Sequence, residues 1–113
     1  MGGLSKKRER RDSLRHPLAL DVTLRAGATG MSATGKSVDI SRSGIFVVLS
    51  DRIPEGRRVD IKIESPVVET PVLTSGIVVH AVANVGLGIR FSHQNERTRE
   101  LIGQMIESLK QSA

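Results

Sequence analysis

Several residue types are missing or scarce in this chain of 113 residues, and each absence excludes a class of protein. Cysteine is absent, which excludes a disulfide framework, a thiolate metal site and a cysteine nucleophile. Tryptophan and tyrosine are also absent, and the two phenylalanines, Phe46 and Phe91, are expected in the core. No apolar run reaches the roughly 20 residues of a membrane span, and no signal-peptide-like segment follows Met1. The composition favours a single cytoplasmic domain that is not inserted in a membrane.

The positive charge of the chain is concentrated at one end. The formal net charge is +5, and residues 1–25 contribute +4 of it through seven basic and three acidic side chains. Residues 1–16 hold too few apolar side chains to bury themselves, so we expect a flexible basic arm before a folded body at 17–110. A positive field focused on one arm attracts a phosphate-bearing partner without identifying it.

Alternating apolar residues predict that most of the body is β-structure. Val22 and Leu24 are typical of this pattern, and in the second strand Val38 and Ile40 are expected to face the core. The long fifth strand is expected to bend or bulge at Gly76. The predicted strands cover 18–25, 34–41, 45–50, 58–64, 71–83 and 87–91.

After the last strand the hydrophobic period becomes helical. The pattern predicts an amphipathic helix at about 95–110, with Ser92 or Asn95 as its N-cap. Its apolar stripe consists of Leu101, Ile102, Met105, Ile106 and Leu109. Six antiparallel strands and one helix together predict a small β-barrel with the helix covering an open end.

Two short motifs carry the functional signal. Arg11 and Arg15 form an RxxxR motif in the arm, and Asp39, Ser41 and Gly44 form a DxSxxG motif in the second strand and the bend after it. A guanidinium group is a rigid donor fork that fits phosphate or the O6/N7 edge of guanine, and it also stacks on flat bases. Residues two apart on a strand share a face, so Asp39 and Ser41 are expected together on the outer surface.

The groups around the second motif suggest how a ligand is held. Ser43 and the nearby backbone N–H groups are expected to donate to phosphate, and Gly44 allows a special backbone angle or the close approach of a ligand. Asp39 either accepts from the N1–H and N2–H₂ edge of guanine or orients an arginine. An arm that folds back across the outer face would let Arg11 and Arg15 clamp the ligand.

Each motif has a plainer interpretation when it stands alone. A charge run such as 6–11 is commonly a solvated tail or a nonspecific polyanion binder. Asp-x-Ser-x-x-Gly is commonly a turn at a strand end. His16, His80 and His93 lack the spacing of a metal site, and Arg90 is expected to be a solvated surface residue. No nucleophile–base arrangement stands out, so neither a metal centre nor an enzyme is expected.

In this order and between these strands, the two motifs resemble the PilZ domain family over residues 8–110. Residues 11–15 match its RxxxR motif, residues 39–44 match its [D/N]xSxxG motif, and residues 86–91 are similar to its late GxGVxF strand. The resemblance implies a six-stranded antiparallel β-barrel with a C-terminal α-helix. It also implies a bacterial receptor whose ligand is cyclic di-GMP, with the arginines on phosphate and guanine and the second motif on guanine.

The resemblance implies a stoichiometry as well. Arg10 directly precedes the first motif, and in this family a long basic residue there tends to accompany an intercalated dimer of the nucleotide. An extra guanidinium can stack on a second guanine and offset the added phosphate charge. We therefore expect two nucleotides per chain and no other cofactor.

Two other functions compete with the receptor. Some family members lack the arginines and bind only protein, so a protein-interaction adaptor without nucleotide binding is the alternative. A barrel that binds single-stranded nucleic acid is disfavoured, because stacking aromatics are scarce and the basic residues crowd onto one arm. For the receptor, we expect the ligand to order the arm and so change the surface shown to an unidentified downstream protein partner.

Overall fold

Seven strands and one helix form the part of the chain that the structure describes. The computed structural model describes residues 16–17, 19–27, 30–49, 53–66, 68–92 and 94–112. The strands are β1 (His16–Pro17), β2 (Asp21–Ala26), β3 (Ser32–Ile40), β4 (Gly44–Val48), β5 (Arg58–Ser65), β6 (Val68–Val82) and β7 (Gly86–Phe91), and the helix is α1 (Glu96–Ser112). The predicted site residues Arg10, Arg11 and Arg15 lie outside the described residues, so the arm and its motif stay predictions.

Six of the strands close into an antiparallel barrel. Hydrogen-bonded neighbours follow the order β3, β2, β5, β6, β7 and β4, and β4 then pairs with β3 to complete the ring. The two-residue strand β1 pairs with β3 beyond the end of β2. Closure leaves no long unpaired edge in the ring. The predicted mainly-β barrel with a C-terminal helix is therefore confirmed.

One continuous core fills the barrel and extends to the helix. Val22 and Leu24 of β2 are buried and lie opposite Ile63 and Ile61 of β5, as the alternating pattern requires. Each fully buried aliphatic side chain contributes about 1.5–3 kcal/mol relative to an exposed one, so this cluster dominates the stability of the fold. The same cluster includes the helix residues Leu101, Ile102, Met105 and Ile106.

The helix starts where the sequence indicates and is tied to the barrel at once. Asn95 is its N-cap, because Asn95 Oδ1 accepts a hydrogen bond from the Thr98 N–H at 2.8 Å. The Thr98 hydroxyl lies 3.4 Å from the Leu73 carbonyl oxygen of β6, to which it donates. The side chain of Leu109 lies outside the described part. Within that part, no helix has both the length and the hydropathy needed to cross a bilayer.

The inward face of β3 differs from the predicted one. Ser37 is buried, whereas Val38 is 48% exposed, so the prediction that Val38 faces the core was wrong. The pairing of β3 with β4 shifts register between Ser37 and Asp39, and this bulge turns Val38 outward before Ile40 returns to the core. Ser37 is stable inside because its Oγ accepts the Leu20 N–H at 2.8 Å.

The irregularity in β6 also lies away from its predicted place. Gly76 keeps its register with both neighbouring strands, and the shift against β7 falls between Val78 and His80. A Cβ at Gly76 would lie 2.6 Å from the Arg90 carbonyl oxygen, which no real side chain tolerates. Close approach of the neighbouring backbone explains this glycine, and the bulge in β6 lies instead between Val78 and His80.

Candidate functional site

The second motif forms the connection between β3 and β4. The Ser41 N–H donates to the Gly44 carbonyl oxygen at 2.8 Å, which leaves Arg42 and Ser43 at the tip of a tight turn. The structure thus brings together three of the predicted site residues, Ser41, Ser43 and Gly44, next to the end of β3.

Ser41 is the structural centre of this turn. Its side chain is fully buried, and Ser41 Oγ accepts hydrogen bonds from the N–H groups of Ser43 at 3.2 Å and Gly44 at 3.1 Å. The prediction that Ser41 shares the outer surface with Asp39 was wrong, because β3 ends at Ile40 and the alternation ends with it. The two amides expected to reach phosphate are already bound by this buried hydroxyl.

Gly44 is required by the packing of the neighbouring strand. A Cβ at this position would collide with the Ile89 carbonyl oxygen of β7. The described residues with positive φ lie elsewhere, so Gly44 needs no special backbone angle. The Ser43 carbonyl oxygen accepts the Phe91 N–H at 2.8 Å, which fixes the turn to β7 a second time. The glycine therefore makes room for backbone, and the special backbone angle that the sequence suggested is not needed.

A row of residues crosses the outer face of the barrel from Asp39. Asp39 of β3 pairs with Phe46 of β4, Phe46 pairs with Gly88 of β7, and Gly88 pairs with His80 of β6. Asp39 and Phe46 are half-buried and His80 is exposed. The prediction that Phe46 belongs to the core was wrong, because its two neighbours along β4 take the inward positions. Asp39, Phe46, Gly88 and His80 are called the outer row.

Two glycines of β7 leave space for the Phe46 ring. A Cβ at Gly86 would lie 2.8 Å from Phe46 Cε1, and one at Gly88 would lie 3.6 Å from Phe46 Cδ2. The Cβ position of Gly88 also lies 3.4 Å from His80 Cβ. The Phe46 ring therefore packs against β7 next to His80. Sequence reasoning missed this arrangement, although a Gly-x-Gly strand paired with an aromatic residue is its signal.

Two arginines stand beside the motif turn. The Arg42 guanidinium lies over Gly103 of α1, with its nearest nitrogen 3.2 Å from where a Cβ of that glycine would be. Arg90 is exposed, as predicted, and pairs with Gly44. Within the described ranges, no salt bridge involves Arg42 or Arg90. Both guanidinium groups thus contribute positive potential next to the turn.

Strand β1 brings the N-terminal side of the chain to the same place. His16 pairs with Ile40 and Pro17 pairs with Asp39, so β1 lies alongside the residues that enter the motif turn. Acidic and histidine side chains do not converge here: the described residues contain no group of three or more that suits a metal ion. The geometry is that of a polar surface with two cationic side chains, which makes it the candidate site of the described residues.

The family of the chain follows from comparison with known proteins. The family model for the PilZ domain matches residues 9–108, which include the outer row and the motif turn. The chain belongs to the PilZ domain family. Among curated proteins, no significant match to this PilZ domain is found.

Solved structures with the same fold extend this result. The PilZ domain of CeSA from a cellulose-synthesizing bacterium has a TM-score of 0.70 at 17% identity, covering 86% of this chain and 98% of that one. The PilZ domain of Escherichia coli YcgR, solved with c-di-GMP, has a TM-score of 0.71 at 14% identity, covering 88% and 90%. Borreliella burgdorferi PlzA, in complex with c-di-GMP, has a TM-score of 0.65 at 15% identity, covering 90% of this chain but 43% of PlzA. At these identities the likeness shows the fold.

Proposed function

We propose that this PilZ domain is a cyclic di-GMP receptor that holds the nucleotide between its arginine arm and the outer face of the barrel. The observation that carries the proposal is the pairing of β1 with the end of β3, where Pro17 lies opposite Asp39. Arg15 directly precedes β1 in the chain. Because consecutive Cα atoms are about 3.8 Å apart, this connection keeps Arg15 within reach of the motif turn.

The chemistry around the turn suits this ligand. The guanidinium groups of Arg11 and Arg15 bind phosphate and the O6/N7 edge of guanine, and Arg10 supports a second nucleotide. Asp39 accepts from the N1–H and N2–H₂ edge of guanine or orients an arginine. Two relatives of the same fold, YcgR and PlzA, were solved with c-di-GMP, which supports the choice of ligand.

The proposed output is a change of surface. We infer a binding module of the bacterial cytoplasm, not an enzyme, in which ligand binding orders the arm over the barrel. A downstream protein partner then reads the altered surface. Limited proteolysis tests this step: cleavage within residues 8–15 should slow when the nucleotide is added, and unchanged cleavage would contradict the switch.

Isothermal titration calorimetry with cyclic di-GMP tests the receptor itself. The wild-type protein should bind saturably, and an Arg11→Ala/Arg15→Ala variant should lose binding. Lys6→Ala/Lys7→Ala is the matched control, because it removes the same charge from the arm without touching the motif. Binding by the control within about threefold of wild type would separate a specific clamp from general electrostatic attraction.

The outcomes distinguish the alternatives. Both double variants should keep the wild-type melting temperature, because the arm adds little to the core. No binding by folded wild-type protein would overturn the receptor and leave the adaptor. Equal losses in both double variants would indicate nonspecific attraction. A stoichiometry near two supports the role of Arg10, and a value near one contradicts it.

A further inference from the structure

We propose that Phe46 and His80, which flank Gly88, form a stacking shelf for a guanine base of the bound nucleotide. This inference rests on the proposed function and adds to it a contact surface outside the two sequence motifs. The shelf is defined as the side chains of Phe46 and His80, which lie against the buried backbone of Gly88.

The sheet places the shelf beside the motif. Asp39, Phe46, Gly88 and His80 lie in one register row across four consecutive strands, β3, β4, β7 and β6. Neighbouring strands are about 4.8 Å apart, so the row from Asp39 to His80 spans roughly 14 Å. That length exceeds one base. Asp39 can therefore meet the polar edge of a guanine while the shelf supports a base face farther along the row.

The two side chains of the shelf can lie close to the sheet because Gly88 has no side chain of its own and is buried next to them. The Cβ position of Gly88 is 3.6 Å from Phe46 Cδ2 and 3.4 Å from His80 Cβ, so both side chains lie against the same buried stretch of backbone. A long side chain at this position would push the Phe46 and His80 side chains away from the sheet. The base is proposed to stack on the solvent side of these two side chains, where a planar ligand fits better than a branched one.

The shelf is also fixed in place before the ligand arrives. The Phe46 ring packs on β7, where its Cε1 lies 2.8 Å from the Cβ position of Gly86. Phe46 is half-buried and His80 is exposed, so one face is held by the barrel while solvent reaches the surface. Because the aromatic ring is already ordered, stacking a base on it loses little conformational entropy.

Charge beside the shelf matches a nucleotide instead of an apolar ligand. Arg90 lies two residues from Gly88 on the same outward face of β7 and pairs with Gly44 of the motif turn. Its guanidinium is suited to a phosphate that joins a base on the shelf to the rest of the ligand. The planar surface of the shelf and the Arg90 guanidinium beside it together form the proposed nucleotide subsite.

Calorimetric titration of cyclic di-GMP into four proteins tests the shelf: wild type, His80→Ala, His80→Phe and Val82→Ala. Removing the imidazole should weaken binding about tenfold, within the range found for bases stacked on aromatic side chains. A phenyl ring at position 80 should keep binding within about threefold of wild type. Val82 is an exposed residue of the same strand in the next row, so its truncation should change nothing.

A second measurement detects stacking directly. On saturation with cyclic di-GMP, the ring protons of Phe46 should shift in the NMR spectrum through the ring current of the base, and those of Phe91, whose side chain is buried in the core, should shift much less. Wild-type affinity in His80→Ala, or unmoved Phe46 signals at saturation, would overturn the shelf alone. Absence of binding by folded wild-type protein would overturn both the receptor and the shelf.

Discussion

The motif turn and the outer row are adjacent, yet they use their polar groups in opposite ways. In the turn, the buried Ser41 hydroxyl binds two backbone amides, and Gly44 makes room for the backbone of β7. In the outer row, Asp39 and His80 face outward. The comparison teaches that one short motif contains two kinds of residue. Ser41 and Gly44 shape the turn, while Asp39 is half-buried on β3 and is the motif residue for which we propose a ligand contact.

Gly44→Ala should break the turn most severely. The added methyl group would collide with the Ile89 carbonyl oxygen, which cannot move without disturbing β7. We expect the free energy of unfolding to fall by roughly 3 kcal/mol, the upper end for overpacking. Urea unfolding measures it. Gly27→Ala is the control, since nothing lies within 4 Å of its Cβ position; equal losses in the two variants would contradict this account.

Ser41→Ala should have the next largest effect. It leaves the Ser43 and Gly44 amides without the hydroxyl that binds them, and Gly44 is buried. An unsatisfied buried donor costs about 1–3 kcal/mol, so we expect a loss near 2 kcal/mol in urea unfolding. Ser32→Ala, on the exposed start of β3, should stay within about 0.5 kcal/mol of wild type. If Ser41→Ala is equally mild, the hydroxyl does not hold the turn.

Gly103→Ala should stabilise the protein. A helical glycine costs about 1 kcal/mol relative to alanine, and the new methyl group would meet only the mobile end of Arg42 at 3.2 Å. We expect the free energy of unfolding to rise by about 0.5–1 kcal/mol. Repeating the substitution with Arg42→Ala present gives a double-mutant cycle. A gain that appears only in the Arg42→Ala background would show that the guanidinium cannot move aside.

Asp39→Asn should have the smallest effect on stability and a clear effect on binding. The amide has the shape of the carboxylate, so the free energy of unfolding should change by no more than about 0.5 kcal/mol. Hydrogen bonds to a charged group contribute about 1.5–3 kcal/mol, so cyclic di-GMP affinity should fall at least about tenfold. Calorimetry and urea unfolding on the same samples check this. A large fall in the free energy of unfolding would instead show that Asp39, like Ser41 and Gly44, stabilises the turn.

The sequence was sufficient for the architecture because alternation and helical period are strong local signals. The pairing of Val22 and Leu24 with Ile63 and Ile61 follows directly from matched alternating strands. Asn95 was one of two N-cap candidates, and its side-chain hydrogen bond to Thr98 decides between them. The bend predicted after the second strand is the tight turn between β3 and β4.

The details of the site were less predictable because they depend on contacts between distant strands. The bulge near Val38 arises from the match of β3 with β4, and period two alone gives no sign of it. Gly44 and Gly76 face the backbone of β7, which no local pattern reveals. Phe46 was assigned to the core from residue type, although its position along β4 points outward.

Strand β1 is only two residues long, so its pairing with β3 can open at a small cost in free energy. Its ladder contains two residue pairs, and if each contributes one hydrogen bond the net gain is about 1–3 kcal/mol. That corresponds to roughly one open molecule in six to one in 160 at any moment. Amide hydrogen exchange near His16 should therefore proceed by local opening, many orders of magnitude faster than exchange in the middle of β2, which requires global unfolding. The domain can release and recapture β1 while its barrel stays intact.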